Sequence, residues 1–214
     1  MRFNWPFLKL NQVILIIIFA QFIFTVAANL NIPFFAVYIL DDIGAAAAAV
    51  GFASAAYWVV KSVLQLPIAR WIDHRPGELD DYHSMIFGAF ITTISIFMFY
   101  FATEIWQVFA IQILIGIGDA FYVPPFFAIF TRHIDKNSEG FEWSLQSSFS
   151  LGAGSALGGA LSGILISLLG IRAVYLMNGT LMLVGVVILL FLRPFVRPRT
   201  AAEPDRILVE PRRA

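Results

Sequence analysis

Two ionisable side chains of opposite sign lie inside long apolar stretches of the sequence. Lys61 stands twelve residues before Asp73, and Asp119 stands thirteen residues before Arg132. On helices that rise ~1.5 Å per residue, each would lie ~18–20 Å from a polar helix end. A lone charge in hydrocarbon costs at least ~2.5–3.5 kcal/mol, so we expect each to face a wet cavity, a partner or the other. They are either a static ion pair between two helices or groups that bind a solute or carry a proton.

Other chemistry has little support in the residues present. The three histidines, His74, His83 and His133, lie in polar stretches and lack the spacing of metal ligands. The chain has no cysteine, which excludes disulfides, thiolate metal sites and cysteine nucleophiles. It also has no nucleophile triad, phosphate-binding loop or nucleic-acid motif. We therefore predict no catalytic residues, no metal, no cofactor and no nucleic-acid partner.

The elements that must position Lys61 and Asp119 are six apolar stretches, at 13–38, 45–71, 85–101, 106–130, 143–169 and 173–192. A helix needs ~20 mainly apolar residues to span the ~30 Å hydrocarbon core. Its backbone N–H and C=O groups hydrogen-bond to each other within the helix, so they need no water there. The composition agrees, because 59% of the residues are hydrophobic and only 13% are charged, against roughly a quarter in a soluble domain. The sequence predicts an all-α polytopic membrane protein with six transmembrane helices.

Basic residues are distributed unevenly between the apolar stretches. Twelve fall in residues 1–12, at the end of the second stretch and in the gap after it, in the gap after the fourth stretch, and in residues 193–214, whereas Arg172 alone falls on the other side. By the positive-inside rule both termini are cytoplasmic, in an inner or plasma membrane. We expect a cytoplasmic segment at 1–12, a bundle at 13–192 and a disordered basic tail at 193–214. The tail would either favour anionic lipid headgroups or act as a topological stop signal.

Two similar hexapeptides close the first and fourth stretches. Residues 33–38 read PFFAVY and residues 125–130 read PFFAIF, in helices that this topology places in opposite directions. A 3+3 inverted repeat would produce such a pair, and so would chance in a phenylalanine-rich chain. Pro33, Pro124 and Pro125 are expected to kink their helices. Proline-interrupted helices in matching halves are typical of transporter binding sites.

Polar side chains recur on one face of several predicted helices. Gln21, Thr25 and Asn29 are spaced four apart in the first helix, which places them in one stripe. Similar stripes run along the second, fourth and fifth helices, whereas the third and sixth have scattered polar residues and are predicted to form a lipid-side scaffold. The predicted binding or coupling residues are Gln21, Thr25, Asn29, Asn31, Lys61, Gln112, Asp119, Tyr122 and Gln146.

Three stretches carry motifs in a fixed order. Residues 67–73 read PIARWID, residues 112–118 read QILIGIG, and residues 154–163 read GSALGGALSG. In this order they resemble signatures of the major facilitator superfamily, and residues 10–193 resemble the N-terminal half of such a transporter. The resemblance implies a six-helix half-bundle that moves a small molecule across the membrane.

The resemblance also assigns roles to individual residues. It implies a gating loop that contains Arg70, Asp73 and Arg75, with Ala69 where the family has glycine. It places Gln112 where many members have an arginine tied to proton coupling, so proton-driven transport stays open.

The glycines of the fifth helix, Gly154, Gly158, Gly159 and Gly163, resemble an antiporter motif. Small residues also let helices approach closely in lipid. We interpret these four as helix-packing residues.

Members of this family usually have two such bundles, related by an axis along the membrane normal. Three interpretations of a single bundle stay open: a half-transporter that assembles as a homodimer, the N-terminal half of a longer or split transporter, and a non-transporting membrane interaction protein. Our prediction is the homodimer, which would move a small organic solute by alternating access. Its partners would be the lipid bilayer, a second copy or complementary half, and the solute, with or without protons.

Overall fold

The computed structural model describes residues 10–74 and 77–196, and this part of the chain is helical without a β-strand. It contains six long helices: α1 (Gln12–Asp42), α2 (Ala47–Asp73), α3 (Leu79–Met98), α4 (Ile105–His133), α5 (Glu139–Leu169) and α6 (Ile171–Leu190). Arg75 of the predicted gating loop lies outside the described residues. So do residues 1–9 of the predicted N-terminal segment and residues 197–214 of the predicted tail.

The six predicted stretches fall on these six helices in order. Within the described residues, every long helix except α3 is long and apolar enough to cross a membrane. α3 begins with Asp80, Asp81 and His83, so its apolar part starts only at Met85. The all-helical membrane architecture is therefore confirmed, while α3 as the sixth span stays a prediction.

The helices are arranged with α2 and α5 at the edges of the bundle. α4 packs extensively against both α3 and α2, whereas α1 packs against α6 and α5. α3 and α6 also contact each other directly. Four helices, α1, α3, α4 and α6, therefore form the middle of the bundle.

Polar contacts join the helices at both ends of the bundle. At the end that holds both termini of the described chain, which we call the termini end, Arg132 forms an ion pair with Asp81. At the opposite end, the far end, Arg172 donates to Asp42 at 2.7 Å and to the carbonyl of Tyr100 at 3.3 Å. Both contacts join the start of one helix to the end of another, as expected for helices that alternate in direction.

Two helices depart from regular α-geometry. In α1 the α-helical ladder stops at Asn29, because Pro33 has no N–H to donate back to it, and a short 3₁₀ segment, Ile32–Phe34, follows. α5 contains a π-helical segment, Gln146–Ala153. α4, in contrast, continues without a break through Pro124 and Pro125. The helix is therefore interrupted at only the first of the two predicted proline sites.

Candidate functional site

A cavity of about 650 Å³ lies within the bundle. Its walls are mostly aromatic and aliphatic, and they come from α1, α2, α3, α4 and α6. α3 contributes Thr92 and α6 contributes Asn178, whereas no residue of α5 lines it. Within this single bundle the predicted scaffold helices α3 and α6 therefore line the cavity, whereas α5 does not. The reason is that the small-residue face of α5 is pressed against α1 at Gly154 and Gly158.

Lys61 and Asp119, which the sequence places at similar depth, meet in this cavity. Lys61 Nζ lies 3.2 Å from Asp119 Oδ2, and the two side chains are only 15% and 23% exposed. Tyr57 joins them, because its hydroxyl donates to Asp119 Oδ2 at 2.5 Å and accepts from Lys61 Nζ at 2.8 Å. Thr92 donates to the other carboxylate oxygen at 3.3 Å. The cluster thus connects three helices, α2, α3 and α4.

The surroundings of Lys61 stabilise its charge. Its Nζ lies 5.2 Å from the ring centroids of both Tyr57 and Trp58, a cation–π arrangement that contributes roughly 0.5–2 kcal/mol. The cluster carries no net charge, yet it offers a cation, a carboxylate and a hydroxyl at one place. It can bind a polar or zwitterionic group, and protonation of Asp119 would change its attraction for Lys61.

A second polar network runs along α1. Tyr122 donates to Gln21 Oε1 at 2.9 Å, which joins α4 to α1. Asn29 Nδ2 donates to Ser155 Oγ on α5 at 3.1 Å and to the carbonyl of Thr25 at 2.9 Å. The predicted stripe of α1 is therefore partly used to hold its neighbours, and the same side chains line the cavity.

The remaining predicted binding residues fall in two groups. Asn31 and Gln112 line the main cavity. Gln146 does not: it is buried beside a smaller cavity of about 200 Å³, which Gln21 and Tyr122 also line. Gln146 is thus connected to the main cavity through the three residues that border both, Gln21, Tyr122 and Val123.

The four glycines predicted to pack helices are not equivalent. A Cβ at Gly154 or Gly158 would lie within 3.0 Å of an α1 atom, so both sit at a close helix contact. A Cβ at Gly159 would have no atom within 4 Å in the described part of the chain, and one at Gly163 would meet only an ordinary contact at 3.6 Å. Close packing within this bundle therefore involves the first two.

The predicted gating residues Arg70 and Asp73 are exposed in the last turn of α2. A charge pair that the sequence did not indicate lies at the same end, between the buried Asp81 and the exposed Arg132. Asp81 precedes the apolar part of α3. Burial raises the pKa of this carboxyl, and the neighbouring Arg132 guanidinium partly offsets that effect.

Among the cavity residues that sequence reasoning missed, Tyr57, Thr92 and Asn178 contribute polar groups that form hydrogen bonds across helices. Tyr57 lies four residues before Lys61, so helical spacing alone would have placed it on the same face. Thr92 and Asn178 had no such signal, because their position depends on how α3 and α6 pack.

The described residues, 10–74 and 77–196, contain no group of three or more His, Asp or Glu side chains placed to hold a metal ion. The polar groups that line the cavity are side-chain amides, hydroxyls and the Lys61–Asp119 ion pair.

An all-helical bundle of apolar helices around a partly polar cavity defines an integral membrane protein with an internal cavity. A sequence model described as Major Facilitator Superfamily matches residues 17–212. Because the match covers most of the chain, the protein belongs to this superfamily, whose members are generally membrane transporters and not enzymes. A search of curated proteins finds no match.

Proposed function

We propose that this chain carries a small organic solute across the membrane by alternating access, with the 650 Å³ cavity as its binding site. The observation that carries the proposal is the cluster of Lys61, Tyr57 and Asp119 in an otherwise mainly apolar cavity. Small-molecule sites typically have volumes of ~300–1,000 Å³ and a few placed polar groups among apolar walls. This combination suits an amphipathic organic molecule better than an inorganic ion.

Protons are a candidate coupled ion. Protonation of Asp119 would remove the charge that holds Lys61 at 3.2 Å and so release the ammonium group to a solute. Gln112 cannot supply the charge of the arginine that it replaces, so any coupling would depend on the Lys61–Asp119 pair.

We also propose that α3 is the sixth span and that the bundle is a 3+3 inverted repeat. In such a repeat α1 corresponds to α4, α2 to α5 and α3 to α6. When corresponding helices are exchanged, the α1–α6 contact becomes the α4–α3 contact. The same exchange turns the α1–α5 contact into the α4–α2 contact. All four are major contacts of the bundle, and the two hexapeptides at 33–38 and 125–130 occupy equivalent places in the repeat.

The assembly that we propose is a homodimer with its two-fold axis along the membrane normal. Trp58 lines the cavity and is nevertheless 59% exposed, so the cavity is open on its α2 side within a single bundle. A second copy would cover this side. A complementary bundle from another chain would cover it equally well, and particle mass distinguishes the two.

Transport by purified protein tests the proposal. We expect particles with two copies of the chain in nanodiscs, measured by native mass spectrometry. Proteoliposomes should exchange at least one solute from a mixed pool of small amphipathic organic molecules, identified by mass spectrometry. Asn29→Ala should slow that exchange about fivefold, the equivalent of roughly 1 kcal/mol from one lost hydrogen bond. Its melting temperature should fall by only a few degrees, because the hydrogen bond to Ser155 that is also lost contributes roughly 1 kcal/mol.

The matched control is Thr131→Ala, an exposed residue on α4 that does not line the cavity. It should exchange the solute at the wild-type rate. No exchange above that of empty liposomes would overturn the transport proposal, and particles that contain a single copy would overturn the homodimer.

The proposed orientation places both termini in the cytoplasm. The chain has no cysteine, so single cysteines can be introduced and labelled in intact cells with a membrane-impermeant maleimide. Thr103→Cys, in the exposed connection before α4, should be labelled from outside, because few basic residues lie on that side. Lys136→Cys, in the connection after α4, should be labelled only after the cells are permeabilised. The reverse pattern would show the opposite orientation.

A further inference from the structure

We propose that Asn31 and Asn178 form a subsite for an uncharged group of the solute that both donates and accepts a hydrogen bond, such as a primary carboxamide. The proposal rests on the proposed transport function, because it assigns one part of the same cavity. Asn31 follows the break in α1, and Asn178 lies on α6. Both line the cavity, and they are only 5% and 1% exposed.

The two amides share one hydrogen bond and have one donor and one acceptor left over. Asn178 Nδ2 donates to Asn31 Oδ1 at 2.8 Å. Asn31 Nδ2 and Asn178 Oδ1 are buried and have no hydrogen-bond partner within the described residues. Reversing both amides exchanges these roles but again leaves one donor and one acceptor. The surplus is therefore a property of the pair, whichever way the amides are assigned.

Buried polar atoms without partners are uncommon in folded proteins, and those that occur call for an explanation. Here two of them lie in one residue pair at the wall of a binding cavity. A ligand group that accepts from Asn31 and donates to Asn178 would satisfy both at once. A ketone or an ether can use only the free donor, whereas a primary carboxamide can use both atoms.

The subsite selects against a charged group. The nearest source of charge in the cavity, the Lys61–Asp119 pair, is already neutralised within itself. Counted from the far end, Asn178 lies seven residues into α6 and Lys61 fourteen residues into α2, a difference in depth of roughly 10 Å at ~1.5 Å per residue. A charge placed between the two asparagines would therefore be buried without a counter-charge, which is costly. An amphipathic solute can still reach both the neutral and the ionic parts of the cavity.

Benzamide, acetophenone and benzoate are suitable probes, because they share an apolar ring and differ in one group. Binding to the purified protein in nanodiscs is measured by isothermal titration calorimetry. We expect benzamide to bind about tenfold more tightly than acetophenone, which lacks the donor, and more tightly than benzoate, which carries a charge. Equal affinities for benzamide and acetophenone, or no benzamide binding at millimolar concentration, would overturn the subsite.

Variants of the two asparagines test whether these residues cause the preference for benzamide over acetophenone. Asn31→Leu and Asn178→Leu remove the amides at similar volume, and each should bring the benzamide-to-acetophenone ratio close to one. Thr180→Ala, an exposed position two residues further along α6 whose hydroxyl bonds only to its own helix, should keep the wild-type ratio. A ratio that survives in both leucine variants contradicts the proposal. If a leucine variant does not fold, the wild-type ratio decides.

The outcomes also separate this subsite from the transport proposal. Solute exchange by the wild type without benzamide preference would overturn the subsite and leave transport standing. Benzamide preference without exchange of any solute would retain the subsite and overturn transport.

Discussion

Neutralising either Lys61 or Asp119 alone is expected to lower the free energy of unfolding by about 3 kcal/mol, and neutralising both should restore most of the loss. Lys61→Met leaves the Asp119 carboxylate with the hydroxyls of Tyr57 and Thr92 but without a counter-charge. Asp119→Asn leaves the Lys61 ammonium buried over two aromatic rings. The double variant has neither charge, so no buried charge is left without a counter-charge. Unfolding of all four proteins in detergent, arranged as a double-mutant cycle, should give a coupling energy of about 4–5 kcal/mol.

The ion pair between Arg172 and Asp42 provides the matched control. Its atoms lie closer, at 2.7 Å, but its side chains are 34% and 28% exposed at the far end of the bundle. Solvent screens such pairs, so the cycle of Arg172→Met and Asp42→Asn should give a coupling energy below about 1 kcal/mol. Strictly additive effects at Lys61 and Asp119, or equal coupling in the two cycles, would mean that the cavity pair is not held in low dielectric.

The helices could be predicted from the sequence because an apolar run of membrane length specifies a helix without help from its neighbours. Both helices have a charged residue in their last turn, and counting residues back from that end correctly placed Lys61 and Asp119 at the same depth. α3 was less well defined, because Asp80, Asp81 and His83 belong to the same helix as its apolar run.

The contacts between helices could not be predicted in this way. The face of α5 that carries Gly154 and Gly158 is equally suited to a wet cavity and to a close helix contact, and spacing does not say which neighbour it meets. In the structure it meets α1. Asn178 was visible in the sequence, but its pairing with Asn31 requires the break in α1 at Pro33 and the packing of α1 on α6. Local spacing carries no information about either.

Gly88→Ala is expected to destabilise the bundle by about 3 kcal/mol, because it forces apart the two helices with the most extensive contact. A Cβ at Gly88 on α3 would lie 2.6 Å from the backbone nitrogen of Tyr122 and 2.9 Å from the backbone carbon of Phe121 on α4. Backbone atoms cannot rotate away as the end of a side chain can, so α3 and α4 must separate. Since Asp119 and Tyr122 both line the cavity from α4, the separation should also weaken solute binding.

Gly159→Ala makes the same chemical change in α5, where a Cβ would have no atom within 4 Å among the described residues. Alanine loses less conformational freedom than glycine when a helix forms, so this variant should be more stable than the wild type by about 0.5–1 kcal/mol. Thermal unfolding of both variants in the same detergent gives the comparison, and the added methyl group is identical in the two. The opposite signs that we expect can therefore come only from the packing around each glycine. Equal melting temperatures would contradict the close approach of α3 to α4.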